Sequence, residues 1–255
     1  MPAAAPPLIR FEATAPNELW QLDALGPRPL RQGQVRCLTL LDDHSRYALA
    51  LQAIPDQTLT TIQRVLTDCF ERYGLPEAFL TDNGPPWGSS RPATYTQFEV
   101  WLLRYGVQVR HGRPLHPQTQ GKVERLHKTI TLEVFQGPRL RDVAAAQAAF
   151  DAWRDIYNHD RPHEALGLAC PSSRYQRSPR LWSATPPPLE YADDAQVCIV
   201  SAKGVMRFQH QQLYVGEAFQ GLPVGLLPTA TDGVFRLLFG AETLRTIDLR
   251  TETSA

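Results

Sequence analysis

The sequence predicts an α/β fold, in which a mixed β-sheet is flanked by helices and followed by a small all-β barrel domain. Three observations predict it: alternating apolar segments come first, segments of helical period interleave with short apolar runs, and short β-like runs separated by glycine turns come last. The chain has 255 residues, of which 43% are hydrophobic, enough for two cores. We expect a flexible arm at 1–17, a core domain at 18–178, a Pro-rich linker at 179–190 and a β-barrel domain at 191–255.

Each element follows from its local pattern. The segment ELWQLDAL alternates as a half-buried strand does, DDHSR predicts the turn of a hairpin, and Gly74 ends a run of helical period. We expect strands at 18–25, 34–42, 47–54, 76–81 and 106–109, and helices at 58–73, 94–105, 118–135 and 140–157. After the linker, we expect strands at 196–201, 204–208, 211–215, 223–227, 234–239 and 243–249.

Two aspartates take positions that are unusual for a purely structural residue. Asp23 lies in the middle of an otherwise apolar strand, where an acid costs several kcal/mol unless a partner or a metal satisfies it. Asp82 follows directly after a short apolar strand, and ligand-binding groups of open α/β sheets commonly lie at such strand ends. The DNG sequence beginning at Asp82 is equally compatible with a simple turn. Asp42 and Asp43 compete with Asp23 as candidates, but their place in the hairpin turn favours a capping role.

The stretch RPLHPQTQGKVERLHK, residues 113–128, passes from a loop into a helix that carries one acid among cations. Glu124 and Lys128 are four residues apart and therefore lie on one helix face, as an exposed ion pair or as part of a functional site. Between Arg104 and Arg141 there are eight basic residues and two acidic ones, although the whole chain has 26 of each sign. Such a local excess attracts phosphate backbones, or forms an ordinary solvated surface.

Several classes of protein are disfavoured. The four cysteines are far apart and contain no CxxC, which argues against a disulfide framework or a zinc site, and Pro162 interrupts the potential zinc pair of His159 and His163. No apolar run is long enough to cross a bilayer, and the beginning of the chain does not resemble a secretory signal. We therefore expect a cytoplasmic protein without a membrane partner.

Three separated carboxylates suggest a metal site. Asp23, Asp82 and Glu124 would provide the oxygen ligands that Mg²⁺ prefers. Two such ions about 4 Å apart can activate an attacking oxygen and stabilise the leaving oxygen at phosphorus. Without metal, the same acids would repel one another and raise each other's pKa values.

Four motifs in order, WQLDALG, LTDNGPPWGSS, HPQTQGKVERLHKT and YNHDRPHEAL, resemble the integrase core of bacterial insertion-sequence transposases, relatives of the retroviral integrases. The resemblance covers roughly residues 17–180 and implies a ribonuclease-H-like fold with a DDE triad, which corresponds here to Asp23, Asp82 and Glu124. It implies metal-dependent DNA end cleavage and strand transfer with two Mg²⁺ or Mn²⁺ ions, by a homo-oligomer that binds element ends and target DNA at the bacterial nucleoid. The implied DNA-binding residues are Arg113, Gln118, Lys122, Arg125 and Lys128.

The chain departs from the family pattern at three points. Ala24 stands where a bulky residue is frequent, and Thr131 stands where a Lys or Arg is frequent, which puts one DNA contact in doubt. Such transposases usually begin with helix-turn-helix domains, and none is recognisable before residue 17, so we expect a catalytic fragment, the product of a second reading frame, or a truncated relic. Two alternative functions follow: a catalytically inactive DNA-binding relic of a transposase, and a ribonuclease H.

Overall fold

The structure, a computed structural model, describes residues 12–88, 94–112 and 121–251. It divides into two compact units, the first formed by 1–82 and 110–181 and the second by 83–109 and 182–255. The strands are β1 Leu19–Pro29, β2 Gln34–Asp42, β3 Ala48–Ile54, β4 Ala78–Thr81, β5 Gln108–His111, β6 Gln196–Ile199, β7 Val205–Phe208, β8 Gln211–Tyr214, β9 Pro223–Pro228, β10 Val234–Phe239 and β11 Glu242–Asp248. The helices are α1 Leu59–Tyr73, α2 Gln97–Leu103, α3 Gly121–Val134 and α4 Val143–His159.

Strand β1 lies at the centre of a five-stranded sheet of order β3-β2-β1-β4-β5. It pairs antiparallel with β2, where Asp23 lies opposite Thr39, and parallel with β4. The predicted mixed sheet is therefore confirmed. The alternation of ELWQLDAL places successive side chains of β1 on opposite faces of this sheet, as the period of two requires.

The two faces of β1 pack against different helices. On one face, Trp20 is fully buried and stacks on Phe70 of α1, with 6.2 Å between ring centroids. On the other face, Leu25 belongs to a buried cluster with Leu126 of α3 and Phe150 of α4. Gln21 and Asp23 share this second face, so the strand directs a polar pair toward α3.

The edge strand β3 is covered by polar side chains of helix α4. Asn158 accepts a hydrogen bond from the Ala48 amide at 2.8 Å and donates to the Ala48 carbonyl at 3.0 Å. Gln147 accepts from the Ala53 amide at 2.8 Å and donates to the Leu51 carbonyl at 3.1 Å. These side chains occupy backbone groups that a further strand would otherwise use, which removes an exposed sheet edge.

Residues 12–17, the last part of the predicted arm, pack on the hairpin turn. The Ala13 amide donates to the buried Asp43 carboxylate and the Asn17 amide donates to Asp42, both at 2.7 Å. Asp42 also accepts from the Ser45 amide and hydroxyl, so its predicted capping role is confirmed. Asp43 instead turns toward α3.

In the second unit, α2 packs on antiparallel sheets. Thr96 and Glu99 form a capping box at the start of α2, and Val100 belongs to a buried cluster with Phe219 and Phe239. The six predicted strands are present as a four-stranded sheet of order β11-β10-β9-β6 and a two-stranded sheet β7-β8. Closure of these sheets into a barrel stays a prediction. None of the helices in the described part of the chain combines the length and apolarity needed to cross a membrane.

Candidate active site

Asp23 is a half-buried acid on the central strand of the first unit. Its side chain is 22% exposed, and one carboxylate oxygen accepts a 2.7 Å hydrogen bond from the amide of Ala24. Burial, together with smaller contributions from the negative charges of Asp82 and Glu124, raises the pKa of Asp23 to about 6, while the hydrogen bond from Ala24 acts in the opposite direction. The carboxyl group therefore lies where a negative charge is costly and receives little compensation.

His127, which lies one turn after Glu124 on α3, faces this carboxylate. Its Nδ1 is 3.6 Å from Asp23 Oδ2, and its Nε2 is 2.8 Å from the hydroxyl of Thr39. Because that hydroxyl donates to the Asp23 carbonyl at 3.0 Å, it accepts from Nε2–H. Burial lowers the pKa of His127 to about 4, so at neutral pH the ring is uncharged and its Nδ1 lone pair faces Asp23.

Asp82 and Glu124 approach Asp23 from two other elements. Asp82 is exposed and follows β4, the parallel neighbour of β1, while Glu124 is exposed in the first turn of α3. Both charges raise the pKa of Asp23, so the fold brings the three predicted acids into one electrostatic neighbourhood.

Asp23, Asp82 and Glu124 lie close enough to interact electrostatically, but they are not arranged as the ligands of one metal ion. Within residues 12–88, 94–112 and 121–251, no three His, Cys, Asp or Glu side chains are arranged to hold a metal ion. Coulomb repulsion acts over several ångströms, whereas ligation requires oxygens within about 2.0–2.6 Å of one ion. The three acids are therefore neighbours without forming a closed ligand cage. Their donor chemistry fits a hard divalent cation, because all the donors are carboxylate oxygens and His127 offers Asp23 no positive charge.

The cations of α3 divide into two kinds. Arg125 and Lys128 are exposed. Lys122 was also predicted to bind DNA. Its side chain, however, is only 9% exposed, and its ammonium group is 2.5 Å from the fully buried carboxylate of Asp43. Arg113 and Gln118, the other predicted DNA-binding residues, lie outside the described residues.

Sequence reasoning did not identify three polar residues beside these acids: Gln21, Asp43 as a partner of α3, and His127. Gln21 precedes Asp23 by two residues on the same strand face, and His127 follows Glu124 by three on the same helix face, so their spacing was a usable signal. Thr131 accepts a 2.8 Å hydrogen bond from the guanidinium group of Arg28. A cation from β1 thus lies where the family often has one on the helix.

Family models match most of the chain. Two models described as integrase core domain match residues 13–117 and 105–171, and a model described as the C-terminal domain of IS481 family transposases matches residues 195–255.

The chain is also similar to proteins encoded by bacterial insertion elements. The chain is 28% identical over 158 residues to an insertion element IS407 protein of Burkholderia multivorans, covering 62% of this chain and 55% of that protein. It is 25% identical over 160 residues to an insertion element IS476 protein of Xanthomonas euvesicatoria, covering 63% of this chain and 44% of that one. The chain thus spans about half the length of these relatives.

The fold is similar to that of a solved chain from the simian T-cell lymphotropic virus intasome, with a TM-score of 0.52 and 18% identity over 93% of this chain and 81% of that one. An integrase-core match in the first part and a transposase match in the last part occur in the order expected from the motifs. Because the two integrase-core models together span residues 13–171, more than half of the chain, the chain belongs to the integrase-core superfamily, and its last part is similar to the C-terminal domain of IS481 family transposases.

Proposed function

We propose that this protein cuts the ends of a mobile DNA element and joins them to target DNA in a reaction that depends on Mg²⁺ or Mn²⁺. The observation that carries the proposal is the placement of three acids on elements that meet: Asp23 on β1, Asp82 after its parallel neighbour β4, and Glu124 in the first turn of α3, which packs on β1. The negative charges of Asp82 and Glu124, which contribute to the raised pKa of Asp23, agree with this placement. Membership of the integrase-core superfamily supports the same reaction.

In this proposal Asp23, Asp82 and Glu124 hold two divalent ions. When bound, such ions supply charge stabilisation at the attacking and leaving oxygens of an in-line displacement at phosphorus. Asp23 provides a ligand fixed in a strand, because its buried carboxylate is oriented by the amide of Ala24. Asp82 and Glu124 are exposed, which leaves their side chains accessible to the ions and to DNA.

The exposed cations of α3 hold the DNA. Arg125 and Lys128 follow Glu124 on the same helix, so a phosphate backbone that they bind passes close to the three acids. The resemblance to the family assigns DNA binding to Arg113 and Gln118 as well. The joining of two element ends requires a homo-oligomer, and the DNA substrate places the protein at the nucleoid in the cytoplasm. We retain 18–178 as the catalytic core domain and 191–255 as the terminal domain.

The direct test incubates the protein with an oligonucleotide that carries an element end, a target plasmid and Mn²⁺. We expect joined products with the wild type and none with Asp82→Asn, because the substitution removes a ligand while the backbone after β4 is unchanged. Lys203→Ala, in the second unit, serves as the control and should join DNA normally. Equal products from the wild type and Asp82→Asn would contradict the assignment of the triad.

A second prediction concerns Arg125 and Lys128, the exposed cations of α3 that are proposed to bind DNA. Arg125→Ala and Lys128→Ala should each reduce the slope of log K against log salt by about 0.9, because each removes one phosphate contact. Fluorescence anisotropy with a labelled duplex between about 50 and 200 mM salt measures this slope. The control is Arg64→Ala on α1, whose guanidinium group is exposed and pairs only loosely with Asp68 at 3.9 Å. An unchanged slope in both α3 variants would exclude this helix face from the DNA interface.

A second candidate function is DNA binding without catalysis, by a protein that keeps the fold. It is favoured by the finding that, within the described residues, the acids form no closed cage. This candidate predicts salt-sensitive DNA binding that needs no divalent ion. Calorimetric titration with Mn²⁺ separates the two functions, because only the first requires ion uptake that Asp82→Asn abolishes.

A further inference from the structure

A chain of buried polar groups joins strand β1 to the first turn of helix α3. Gln21 donates to one oxygen of Asp43 at 2.6 Å, and Lys122 donates to the other at 2.5 Å. The amide of Val123 donates to the side-chain oxygen of Gln21 at 3.3 Å. Gln21 is 1% exposed and Asp43 is fully buried. We call Gln21, Asp43 and Lys122 the clamp.

The clamp adjoins two of the three acids in the sequence. Gln21 and Asp23 are two residues apart on β1, so their side chains lie on the same face of the strand, toward α3. Lys122 precedes Glu124 by two residues in the first turn of α3. The amide of Val123 is one of the helix-terminal donors that have no partner within the helix, and Gln21 satisfies it. The strand that carries Asp23 thus holds the turn that carries Glu124 through directional hydrogen bonds.

The electrostatic cost of the clamp indicates a role beyond stability. The ammonium group of Lys122 is largely withdrawn from water, because its side chain is only 9% exposed and the Asp43 carboxylate that it binds is fully buried. A buried ion pair recovers its desolvation cost only with good geometry, and a well-packed apolar pair is often at least as stable. Hydrogen bonds do, however, fix distance and direction, whereas apolar contacts tolerate sliding of one element along another.

We propose that Gln21, Asp43 and Lys122 are positioning residues, which hold the first turn of α3 so that Glu124 is directed to Asp23 and which thereby set the affinity of the acids for a divalent cation. The proposal rests on the proposed function, because it takes Asp23, Asp82 and Glu124 as the ligands. The clamp residues themselves touch neither metal nor DNA.

Helix α3 provides a matched control at its other end. Glu133 accepts a hydrogen bond from Arg161 at 2.5 Å and another from the indole of Trp153 at 2.7 Å. These bonds also fasten α3, but nine residues after Glu124. Glu133→Gln therefore weakens the attachment of the helix without disturbing its first turn.

The experiment measures Mn²⁺ affinity by calorimetry, and melting temperature in EDTA, for the wild type and four variants. Gln21→Met removes the bridging amide, and the double variant Asp43→Asn/Lys122→Met removes both buried charges together. Asp82→Asn removes a ligand, and Glu133→Gln is the control. We expect Gln21→Met and the double variant to bind Mn²⁺ about 10–100-fold more weakly, the usual effect of losing a group that orients a ligand. Glu133→Gln should bind as the wild type does, although its melting temperature falls.

The outcomes distinguish the two proposals. If Asp82→Asn abolishes Mn²⁺ binding but Gln21→Met and the double variant bind Mn²⁺ like the wild type, the positioning role of the clamp is overturned and the proposed function stands. If the wild type and Asp82→Asn take up Mn²⁺ equally, or neither does, both proposals fall. If Glu133→Gln weakens binding as much as Gln21→Met does, the effect is general loosening of α3, and the clamp is overturned. Should Gln21→Met not fold, the double variant decides, because it leaves no unpaired buried charge.

Discussion

Asp23→Asn is expected to abolish DNA joining and to stabilise the metal-free protein. Loss of a metal ligand removes several kcal/mol of transition-state stabilisation, or roughly a thousandfold in rate. The stability gain follows from the pKa of Asp23, which is raised from 3.8 to about 6 in the folded state. The ionised carboxylate therefore opposes folding, with no penalty below the unfolded pKa and the full penalty above the folded one. At pH 8 in EDTA, the variant should be about 1–2 kcal/mol more stable.

The joining assay with Mn²⁺ measures the loss of activity, and thermal unfolding measures the gain in stability. Added Mn²⁺ should raise the melting temperature of the wild type more than that of Asp23→Asn, because only the wild type has the complete set of ligands. At pH 3.5 the two proteins should unfold at similar temperatures, because Asp23 is then largely protonated in both the folded and the unfolded wild type. A destabilised Asp23→Asn protein at pH 8 would show that the carboxylate has a structural partner.

Asn158→Leu is expected to produce a large loss of stability. Asn158 is 3% exposed and satisfies both backbone groups of Ala48, which is itself fully buried. Leucine has the same branched outline, although it is larger, and it leaves both groups unpaired, at about 1–3 kcal/mol for each. We expect the free energy of unfolding to fall by roughly 2–5 kcal/mol, and the edge of β3 to become prone to aggregation.

The control for this prediction lies on the same helix. Asp155 has a side chain that is 77% exposed, so Asp155→Ala should change stability by less than about 0.5 kcal/mol. Urea unfolding followed by circular dichroism measures both variants, and light scattering detects aggregation. Equal midpoints for Asn158→Leu and the wild type would mean that the backbone of β3 does not depend on these hydrogen bonds.

Local sequence signals predicted most of the elements that surround the candidate site. Thr58 and Gly74 bound α1 as a side-chain cap and a glycine stop at a φ of 78°, and both signals lie within the helix's own neighbourhood in the chain. The alternation of ELWQLDAL likewise predicted which face of β1 carries Asp23. The contacts of Ala13 and Asn17 could not be predicted in this way, because the buried carboxylates that bind their amides are distant in sequence.

In the candidate site, too, the sequence identified residues but not their long-range contacts. The motifs identified Asp23, Asp82 and Glu124, but they could not show that Lys122 is committed to Asp43, because the two residues are separated by 79 positions. His127 was visible only as one histidine among several. Its proximity to Asp23 and its lowered pKa depend on the packing of α3 against β1 and β2.

By itself, the sequence determined the order of strands and helices, the choice of Asp23, Asp82 and Glu124 as candidate site residues, and the family resemblance. These depend on short-range periodicity and on motifs. Only the tertiary structure decided which charges are buried and which partners they have. Burial and pairing depend on contacts between residues far apart in the chain, and those contacts separate the exposed Arg125 and Lys128 from the buried Lys122 on a single helix.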